Sequence, residues 1–297
     1  MSHIAVLRNP TAGRGRLGTA VTVALSELAG NGRTVELLRA DSRDAALQAC
    51  RKAVADGVDA LVVAGGDGTV HMGVQAVAGT GVAFGILPSG TGNDFAQEIG
   101  VPADPVAAGR RIVQALEEGR TRPVDAARMA GPEGYDAWFA AVLAAGFDAL
   151  VNERANRMRW PKGRRRYDIA MFAELATLRQ RRYRIELDDQ VIERDACLAA
   201  VGNTRSYGGG MLMCPDADPT DGLLDVVVAG PVNRRTLVGL FPKVFKGQHV
   251  AHPTVDVYRT RSVRIDADGI VGYADGERTC PLPMTVTAVP GALRVLI

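Results

Sequence analysis

Three short apolar runs in the first third of the chain each end in a loop of small or hydroxyl-bearing residues. The runs and the loops after them are Ile4–Leu7 with 9–15, Leu61–Ala64 with 65–69, and Ala83–Leu87 with 88–94. Continuous apolar runs of this length are typical of strands buried in a parallel sheet. The loops at the carboxyl ends of such strands lie along one edge, where ligands bind. The pattern therefore predicts an open parallel sheet with one ligand-binding edge.

The second loop, Gly65-Gly66-Asp67-Gly68-Thr69, has the chemistry of a phosphate site. Glycines have no Cβ, so a phosphate can approach the backbone N–H groups where the strand ends and a helix begins. Asp67 adds a carboxylate for a metal ion or water, and Thr69 adds a hydroxyl. Gly-Asp-Gly is also ordinary turn chemistry. The repetition of such loops after three strands favours the phosphate site.

The order of elements changes near Arg122. Strand and helix patterns alternate as far as Glu118, and the last of these helices has Asp104 as its N-cap and Pro105 at its first position. Short strand patterns dominate afterwards, among them Ala137–Ala144, Asp195–Val201, Met284–Val289 and Leu293–Ile297.

We therefore predict an α/β plus mainly-β fold in two domains. An open parallel α/β domain spans 1–122, and an antiparallel β-rich sandwich spans 123–297. The active site is expected in the cleft between them, with the last strand able to pack back on the first domain.

Composition is that of an ordinary globular protein, with 47% hydrophobic residues and a net charge of +2. The longest apolar stretch, Trp138–Phe147, is too short to span a bilayer, and no secretory signal follows Met1. We therefore expect a cytoplasmic protein. Its scattered cysteines predict reduced thiols rather than a zinc site; they are Cys50, Cys197, Cys214 and Cys280.

Positive charge is concentrated in the segment Arg154–Arg184. Eleven basic residues face three acidic ones between Val151 and Arg184, which leaves +8 there and −6 elsewhere. Such a segment suits an anionic surface, and the rings of Trp160 and Tyr167 tolerate a membrane interface. A solvated arginine-rich helix face is the equally weighted alternative.

Two further clusters of acids lie in the second half. Asp216–Asp225 combines carboxylates with a tight turn, a mixture of oxygen donors that suits Mg²⁺ or a solvated turn. Asp275-Gly276-Glu277 pairs two acids that could supply a general base, although Asp-Gly is also the favoured hairpin turn. The chain has no P-loop lysine motif and no GxGxxG after the first strand.

Together these motifs resemble the catalytic region of diacylglycerol and sphingosine kinases. The residues that carry the resemblance are Gly65–Thr69, Gly90–Phe95, Tyr207–Met211, Pro215, Asp221–Asp225 and Asp275–Glu277. It spans nearly the full chain, whose compact size is most similar to the bacterial soluble diacylglycerol kinases. The resemblance implies an NAD kinase-like first domain. It also implies ATP-dependent phosphorylation of the hydroxyl of diacylglycerol or a related lipid alcohol, which gives phosphatidic acid or the equivalent lipid phosphate.

The resemblance also implies residue roles. Asp275 matches the general base, and Glu277 and Asp67 are the other residues expected to be catalytic. Glu277 belongs to a charged network that supports the cleft, and Asp94 and Asp125 are further candidates for that network. The residues expected to hold the ATP phosphates and their Mg²⁺ are Asn9, Gly65, Gly66, Asp67, Gly68, Thr69, Ser89, Gly90, Thr91 and Asn93. A structural Mg²⁺ site is implied at Asp218, Asp221 and the backbone of Leu223.

The chain departs from the family pattern on the adenosine side, where it has Arg39 and His71-Met72. An NAD kinase-like enzyme acting on a soluble nucleotide and a non-catalytic nucleotide or lipid sensor are the alternative functions. The expected partners are the lipid substrate and an anionic membrane, contacted peripherally through Arg154–Arg184 during turnover. Nucleic acid is not expected as a partner. The acceptor lipid, the donor nucleotide and a homodimer are left open, as is the choice of Asp275 or Glu277 as the base.

Overall fold

The computed structural model describes residues 2–8, 16–161 and 164–297, and only the backbone of Arg16, Leu17 and Arg164. The helices in these ranges are α1 (Arg16–Leu28), α2 (Arg43–Ala55), α3 (Asp67–Val77), α4 (Asp94–Glu98), α5 (Pro105–Glu117), α6 (Phe147–Arg157), α7 (Arg164–Ala176) and α8 (Arg234–Val244). None of them combines the length and the apolar composition that crossing a lipid bilayer requires.

Strands account for most of the remaining regular structure. They are β1 (His3–Arg8), β2 (Thr34–Leu38), β3 (Ala60–Gly65), β4 (Ala83–Pro88), β5 (Arg122–Ala130), β6 (Asp136–Phe139), β7 (Val142–Ala144), β8 (Arg181–Glu186), β9 (Val191–Ala196), β10 (Leu198–Gly202), β11 (Leu224–Ala229), β12 (Val255–Thr260), β13 (Ser262–Ala267), β14 (Val271–Ala274), β15 (Glu277–Pro281) and β16 (Met284–Val295).

The chain divides into two compact units. The first consists of Met1–Ala126, Pro219–Asp221 and Val289–Ile297, and the second of Ala127–Asp218 and Gly222–Ala288. β16 contributes its first part to the second unit and its last part to the first. The boundary predicted near Arg122 falls at the start of β5, and the contact-based division lies four residues further along.

The first unit is built on a parallel sheet in the order β2-β1-β3-β4. The end of β16 runs parallel to β4, with Arg294 opposite Ala83. Every residue of β3 is buried, as expected for a central strand covered on both faces. Glycines at the contacts between sheet and helices allow close packing. Gly73 of α3 lies against the Phe84 ring of β4, and Gly85 of β4 lies against Ile112 of α5.

The start of α5 confirms the predicted helix signal. The Asp104 carboxylate accepts a hydrogen bond from the Ala107 N–H at 2.9 Å, and Pro105 occupies the first turn, where its missing N–H is not needed.

The second unit is a sandwich of two mainly antiparallel sheets. One contains β9, β8, β13 and the first part of β16, together with β6 and the end of β5. The other has the order β12-β11-β10-β7-β14-β15. Alternation along β7 shows how its sheet is covered on both sides: Leu143 joins the core between the sheets, whereas Val142 and Ala144 join a second cluster that includes residues of α6 and α8. The predicted fold class is thus observed.

Three predicted strand boundaries are wrong. The run Ala137–Ala144 is two strands, β6 and β7, which belong to different sheets. The run Asp195–Val201 is also divided, at Cys197, and β9 and β10 belong to different sheets. Both runs are apolar enough for one strand, but the chain bends where it passes from one sheet of the sandwich to the other. Conversely, Met284–Val289 and Leu293–Ile297 form one strand, β16, which continues through Pro290 and Gly291.

Candidate active site

The glycine loop 65–69 joins β3 to α3 with very little space between its atoms. Gly66 is the N-cap of α3, and its carbonyl accepts hydrogen bonds from the N–H groups of Thr69 and Val70 at 2.8 and 3.0 Å. A Cβ on Gly65 would overlap the Thr69 side chain, which is only 2% exposed. Thr69 therefore packs under the loop, and the half-exposed residues of the loop are Gly66, Asp67 and Gly68.

The loop after β4 lies directly against the glycine loop. The Ser89 N–H donates to the Gly65 carbonyl at 2.9 Å, and a Cβ on Gly90 would overlap the Cα of Gly66. Asn93 fixes the bend because its left-handed backbone (φ 58°) lets its side-chain Oδ1 accept from the Gly90 N–H at 3.1 Å. The close approach of the two loops therefore requires glycine at both 66 and 90.

Asp67 joins the same two loops through its carboxylate. Its Oδ2 accepts a hydrogen bond from the Asn93 N–H at 2.9 Å. Partial burial raises the pKa of the Asp67 carboxyl and the charge of Asp94 raises it further, whereas the N–H groups of Asn93 and Asp94 act in the opposite direction. Two acids therefore lie close together beside the backbone loops, and a cation would relieve their repulsion.

The structure thus brings most of the predicted ATP-site residues together. Residues 65–69 and 89–93 form one cluster, in which Ser89 is buried and Thr91 is exposed. Asn9 lies outside the described residues. The nucleotide-binding roles of all these residues stay predictions.

In the second unit, Asp275 and Gly276 form the tight turn between β14 and β15. Their φ values of 52° and 81° are both positive, which is the geometry of a type I′ hairpin. The alternative interpretation of Asp-Gly as a hairpin turn is therefore right about the backbone. Glu277 begins β15 and is half-buried.

The Asp275 carboxylate is held by the backbone between β6 and β7. Its Oδ1 accepts from the Ala141 N–H at 2.8 Å and its Oδ2 from the Ala140 N–H at 3.1 Å. Asp275 also donates its own N–H to the Val142 carbonyl at 3.1 Å. Asp275 is a fixed, half-buried acceptor.

Sequence reasoning missed the residues that support this backbone. Asn203, which is 0% exposed, donates its side-chain N–H to the Ala140 carbonyl at 2.8 Å and its backbone N–H to the Ala141 carbonyl at 2.9 Å. The Thr204 N–H also donates to the Ala141 carbonyl, at 3.2 Å. The one signal in the sequence is the pair of polar residues at 203–204, which follows Gly202 after the apolar run Leu198–Val201.

Glu153 supports the other side of the β14–β15 hairpin. Its Oε2 accepts from the Tyr273 hydroxyl at 2.7 Å and from the Arg278 Nε at 3.0 Å, and its Oε1 accepts from Arg157 at 2.7 Å. The Tyr273 hydrogen bond, with smaller contributions from the two arginines, holds the pKa of the Glu153 carboxyl below its usual value against the effect of burial. The sequence indicated Glu153 only as an acid within a basic segment.

The predicted structural magnesium turn has exposed carboxylates. Asp218 and Asp221 are exposed, and Leu223 is half-buried. Among the described residues there is no group of three or more His, Cys, Asp or Glu side chains arranged to hold a metal. The predicted set contains two carboxylates and one carbonyl, so this site stays a prediction. In the first unit, Asp125 donates its N–H to the Pro219 carbonyl at 2.8 Å and accepts from the Gly291 N–H at 2.7 Å.

Acidic partners reduce the charge of the basic segment Arg154–Arg184. Arg154 pairs with Glu174 at 2.5 Å, and Arg184 pairs with Glu193 at 2.6 Å. The Arg166 guanidinium lies over the Tyr167 ring, 5.1 Å from its centre. Trp160 is 81% exposed, whereas Lys162 lies outside the described residues.

Comparison with known proteins matches both parts of the chain to one family. Residues 3–129 match the diacylglycerol kinase catalytic domain, and residues 141–297 match the YegS C-terminal NAD kinase beta sandwich-like domain. A crystal structure of a diacylglycerol kinase from Bacillus anthracis str. Sterne superposes with a TM-score of 0.70, covers 99% of this chain and 96% of that chain, and is 22% identical. That likeness confirms the fold.

The family assignment rests on a relative that is similar along the full chain. A diacylglycerol kinase of Mycobacterium tuberculosis is 47% identical, across 100% of this chain and 95% of the relative. A diacylglycerol kinase of Staphylococcus aureus (strain MRSA252) is 27% identical, across 94% of this chain and 87% of the relative. The resemblance seen in the motifs is therefore confirmed, and the chain belongs to the diacylglycerol kinase family of phosphotransferases.

Proposed function

We propose that this protein transfers the γ-phosphoryl group of ATP to the hydroxyl of diacylglycerol or a related lipid alcohol. The product is phosphatidic acid or the corresponding lipid phosphate. The observation that carries the proposal is the fixed carboxylate of Asp275 in a chain that is similar to diacylglycerol kinases along its full length. Membership of a kinase family implies ATP as the phosphoryl donor.

The loops of the first unit suit the phosphates of ATP. The glycine loop 65–69 lies at the start of α3, where the first N–H groups of a helix lack partners within the helix and favour negative charge. A Cβ on Gly90 would overlap the Cα of Gly66, so a side chain there would push the two loops apart. Phosphoryl transfer needs positioning and charge neutralisation more than covalent help from the protein, and fixed amides provide both.

The acids of the two units have separate roles in this proposal. Asp275 orients the lipid hydroxyl and accepts its proton as the oxygen attacks the γ-phosphorus. Asp67, with Asp94 beside it, offers the oxygen donors that Mg²⁺ prefers, and the mutual repulsion of these acids fits a bound cation. When bound, Mg²⁺ neutralises charge on the phosphates. Asp218, Asp221 and the Leu223 carbonyl are proposed to hold a second, structural Mg²⁺.

The substrate class implies where the protein works. A kinase whose acceptor is a bilayer lipid has to contact the membrane surface, and the Arg154–Arg184 segment is proposed to supply an electrostatic contact with anionic headgroups. We propose a cytoplasmic protein that associates peripherally with the membrane during turnover.

The test is phosphate transfer from radiolabelled ATP to a panel of acceptors. The panel contains diacylglycerol, a sphingoid base, another lipid alcohol and NAD, and the products are separated by chromatography. Label in a lipid phosphate supports the proposal and identifies the acceptor. Label in NADP alone would instead establish the NAD kinase-like alternative, and nucleotide binding without any labelled product would indicate a sensor.

Two variants test the proposed roles in the same assay. Asp275→Asn and Asp67→Asn should each lower turnover by roughly 10²–10³-fold, the usual effect of removing one preorganised electrostatic contact. Asp189→Asn changes an exposed acid of the second unit and serves as the matched control. Near-normal turnover of Asp275→Asn would exclude Asp275 as the base and leave Glu277 as the remaining acid of the turn.

A further inference from the structure

Helix α8 has one face packed on the second unit and a second face that is apolar but exposed. Leu240 and Val244 are buried, and Val244 joins the cluster under the β7 sheet. On the other side Val238 is 53% exposed, and Phe241 and Phe245 are each 40% exposed. The spacings of three and four residues place these side chains along one edge of the helix.

The exposed edge is a connected apolar surface. The rings of Phe241 and Phe245 lie edge to face, with their centres 5.7 Å apart and an interplanar angle of 82°. Isolated exposed apolar residues are normal, but a contiguous patch marks an interaction surface. The neighbouring Gly239 and Pro242 are also exposed and place no polar group within this edge.

The charged residues of α8 and of the chain directly beside it are all positive. Arg234, Arg235, Lys243 and Lys246 are exposed on or beside the helix. The sequence contains no aspartate or glutamate between Asp225 and Asp256. A helix with an exposed apolar edge, aromatic residues and flanking lysines and arginines has the composition of helices that lie in the interface of an anionic bilayer. This charge complementarity selects a phospholipid surface as the occupant.

The start of α8 meets the end of the basic segment Arg154–Arg184. The Gln180 side-chain N–H donates to the carbonyl of Val232 at 2.8 Å, directly before Asn233, the N-cap of α8. Leu178 packs on the same cluster as Val232 and Val244. The two positive surfaces are therefore held together by direct contacts within the second unit.

We propose that α8 is a membrane-binding helix, which inserts the edge formed by Val238, Phe241 and Phe245 into the headgroup boundary of a bilayer containing anionic phospholipid. Its arginines and lysines then lie at the level of the headgroups. This inference rests on the proposed function, which places the substrate in a bilayer, but its test measures binding and does not require turnover.

The experiment is sedimentation of the full chain with vesicles of phosphatidylcholine, with and without phosphatidylglycerol. The triple variant Val238→Ser/Phe241→Ser/Phe245→Ser should partition at least roughly tenfold more weakly into the phosphatidylglycerol vesicles, because it loses most of the apolar contact. Arg235→Gln/Lys246→Gln should lose much of the preference for phosphatidylglycerol and should show less salt dependence.

Val191 provides a matched control for Val238. Both are valines with 53% exposure in the second unit, and Val191 lies on β9. The single variant Val238→Ser should weaken vesicle binding, whereas Val191→Ser should not. These single variants also keep the test decisive if the triple variant melts at a lower temperature than the wild type. Equal vesicle binding by Val238→Ser, Val191→Ser and the wild type would overturn the proposal.

Two further measurements separate this inference from its competitors. Analytical ultracentrifugation of the wild type and the triple variant without lipid tests whether the edge joins two copies of the chain; a change from dimer to monomer would overturn the membrane assignment. Phosphorylation of a short-chain diacylglycerol in detergent micelles tests the proposed function alone. If that activity is absent while vesicle binding depends on α8, the proposed function fails and the membrane helix stands.

Discussion

Glycine at positions 66 and 90 has a specific physical role in this molecule. The two loops approach each other so closely that either residue would need to move its neighbour if it carried a Cβ. Neither glycine has a positive φ, so the requirement is for space rather than for a special backbone conformation. The backbones of the two loops are therefore in direct contact at this point.

Gly90→Ala is therefore expected to separate the two loops. Its Cβ would overlap Gly66 and approach the Asn93 Oδ1 within 2.9 Å. Overpacking of this kind forces backbone shifts that cost about 1–3 kcal/mol. We therefore expect ATP affinity, measured by titration calorimetry, to fall at least roughly tenfold.

Gly239→Ala is the control for this substitution. Nothing lies within 4 Å of a Cβ at Gly239, which is in a helix. Alanine there should leave ATP affinity unchanged and stabilise the helix by up to about 1 kcal/mol. Equal ATP affinities for Gly90→Ala, Gly239→Ala and the wild type would show that ATP binding does not depend on the close approach of the two loops.

The sequence predicts site residues only where their partners are close along the chain. Gly65–Thr69 and Asp275–Glu277 are local patterns, and the family resemblance assigns a role to each. The partners of Asp275 are the N–H groups of Ala140 and Ala141, which lie 135 and 134 residues earlier. Two alanines have no side-chain chemistry that could indicate this contact, so only the folded backbone shows it.

At the scale of elements, the bend between β6 and β7 is the main feature that the sequence concealed. The strand pattern Ala137–Ala144 is apolar without interruption, and no glycine or proline marks the bend. The bend leaves the N–H groups of Ala140 and Ala141 outside both sheets, and these groups bind Asp275. The place where the strand prediction failed is therefore the place that holds the proposed base.

Asn203→Ala tests whether this bend must be supported. The variant removes the hydrogen bond from the Asn203 side chain to the Ala140 carbonyl, and loss of a buried partner costs about 1–3 kcal/mol. We expect turnover to fall about tenfold or more through misplacement of the Asp275 carboxylate. ATP affinity should change little, because the nucleotide is proposed to bind the first unit.

The matched control is Asn152→Ala. Asn152 makes the same kind of bond, from its side-chain amide to the Asp148 carbonyl at 3.1 Å, but within α6. A positioning role for Asn203 predicts that kcat falls only in Asn203→Ala, when both variants are assayed well below their melting temperatures. A parallel loss of ATP affinity in Asn203→Ala would instead indicate general damage to the fold.

At the scale of the whole molecule, the stability of the second unit depends on an acid that the proposed mechanism does not use. Asp148, in the first turn of α6, accepts a hydrogen bond from the Tyr207 hydroxyl at 2.8 Å. Burial raises the pKa of its carboxyl to about 6, although the Tyr207 hydrogen bond acts in the opposite direction. At neutral pH the Asp148 carboxyl of the folded protein is therefore ionised, although its buried environment favours the protonated form.

The sign of the resulting pH dependence follows from proton binding. Between about pH 4 and pH 6 the folded state holds the Asp148 proton and the unfolded state does not, so the stability contribution is complete at low pH and is lost as the pH rises through about 6. Because each tenfold change in proton affinity is worth about 1.4 kcal/mol, the loss is at most roughly 3 kcal/mol. An asparagine side chain at this position would stay neutral throughout and could still accept from Tyr207.

Asp148→Asn should therefore melt close to the wild type near pH 4 and at a higher temperature than the wild type near pH 8. Thermal unfolding followed by circular dichroism across this range measures the difference.

Asp188→Asn is a control whose pH dependence should have the opposite sign, because a hydrogen bond from the Arg261 N–H is the main cause that lowers the pKa of the Asp188 carboxyl. Its variant should lose stability relative to the wild type above the normal aspartate pKa. Melting curves for Asp148→Asn that stay a constant distance from the wild type at every pH would show that Asp148 is ionised equally in the folded and unfolded chains, and that the second unit tolerates its charge without loss of stability.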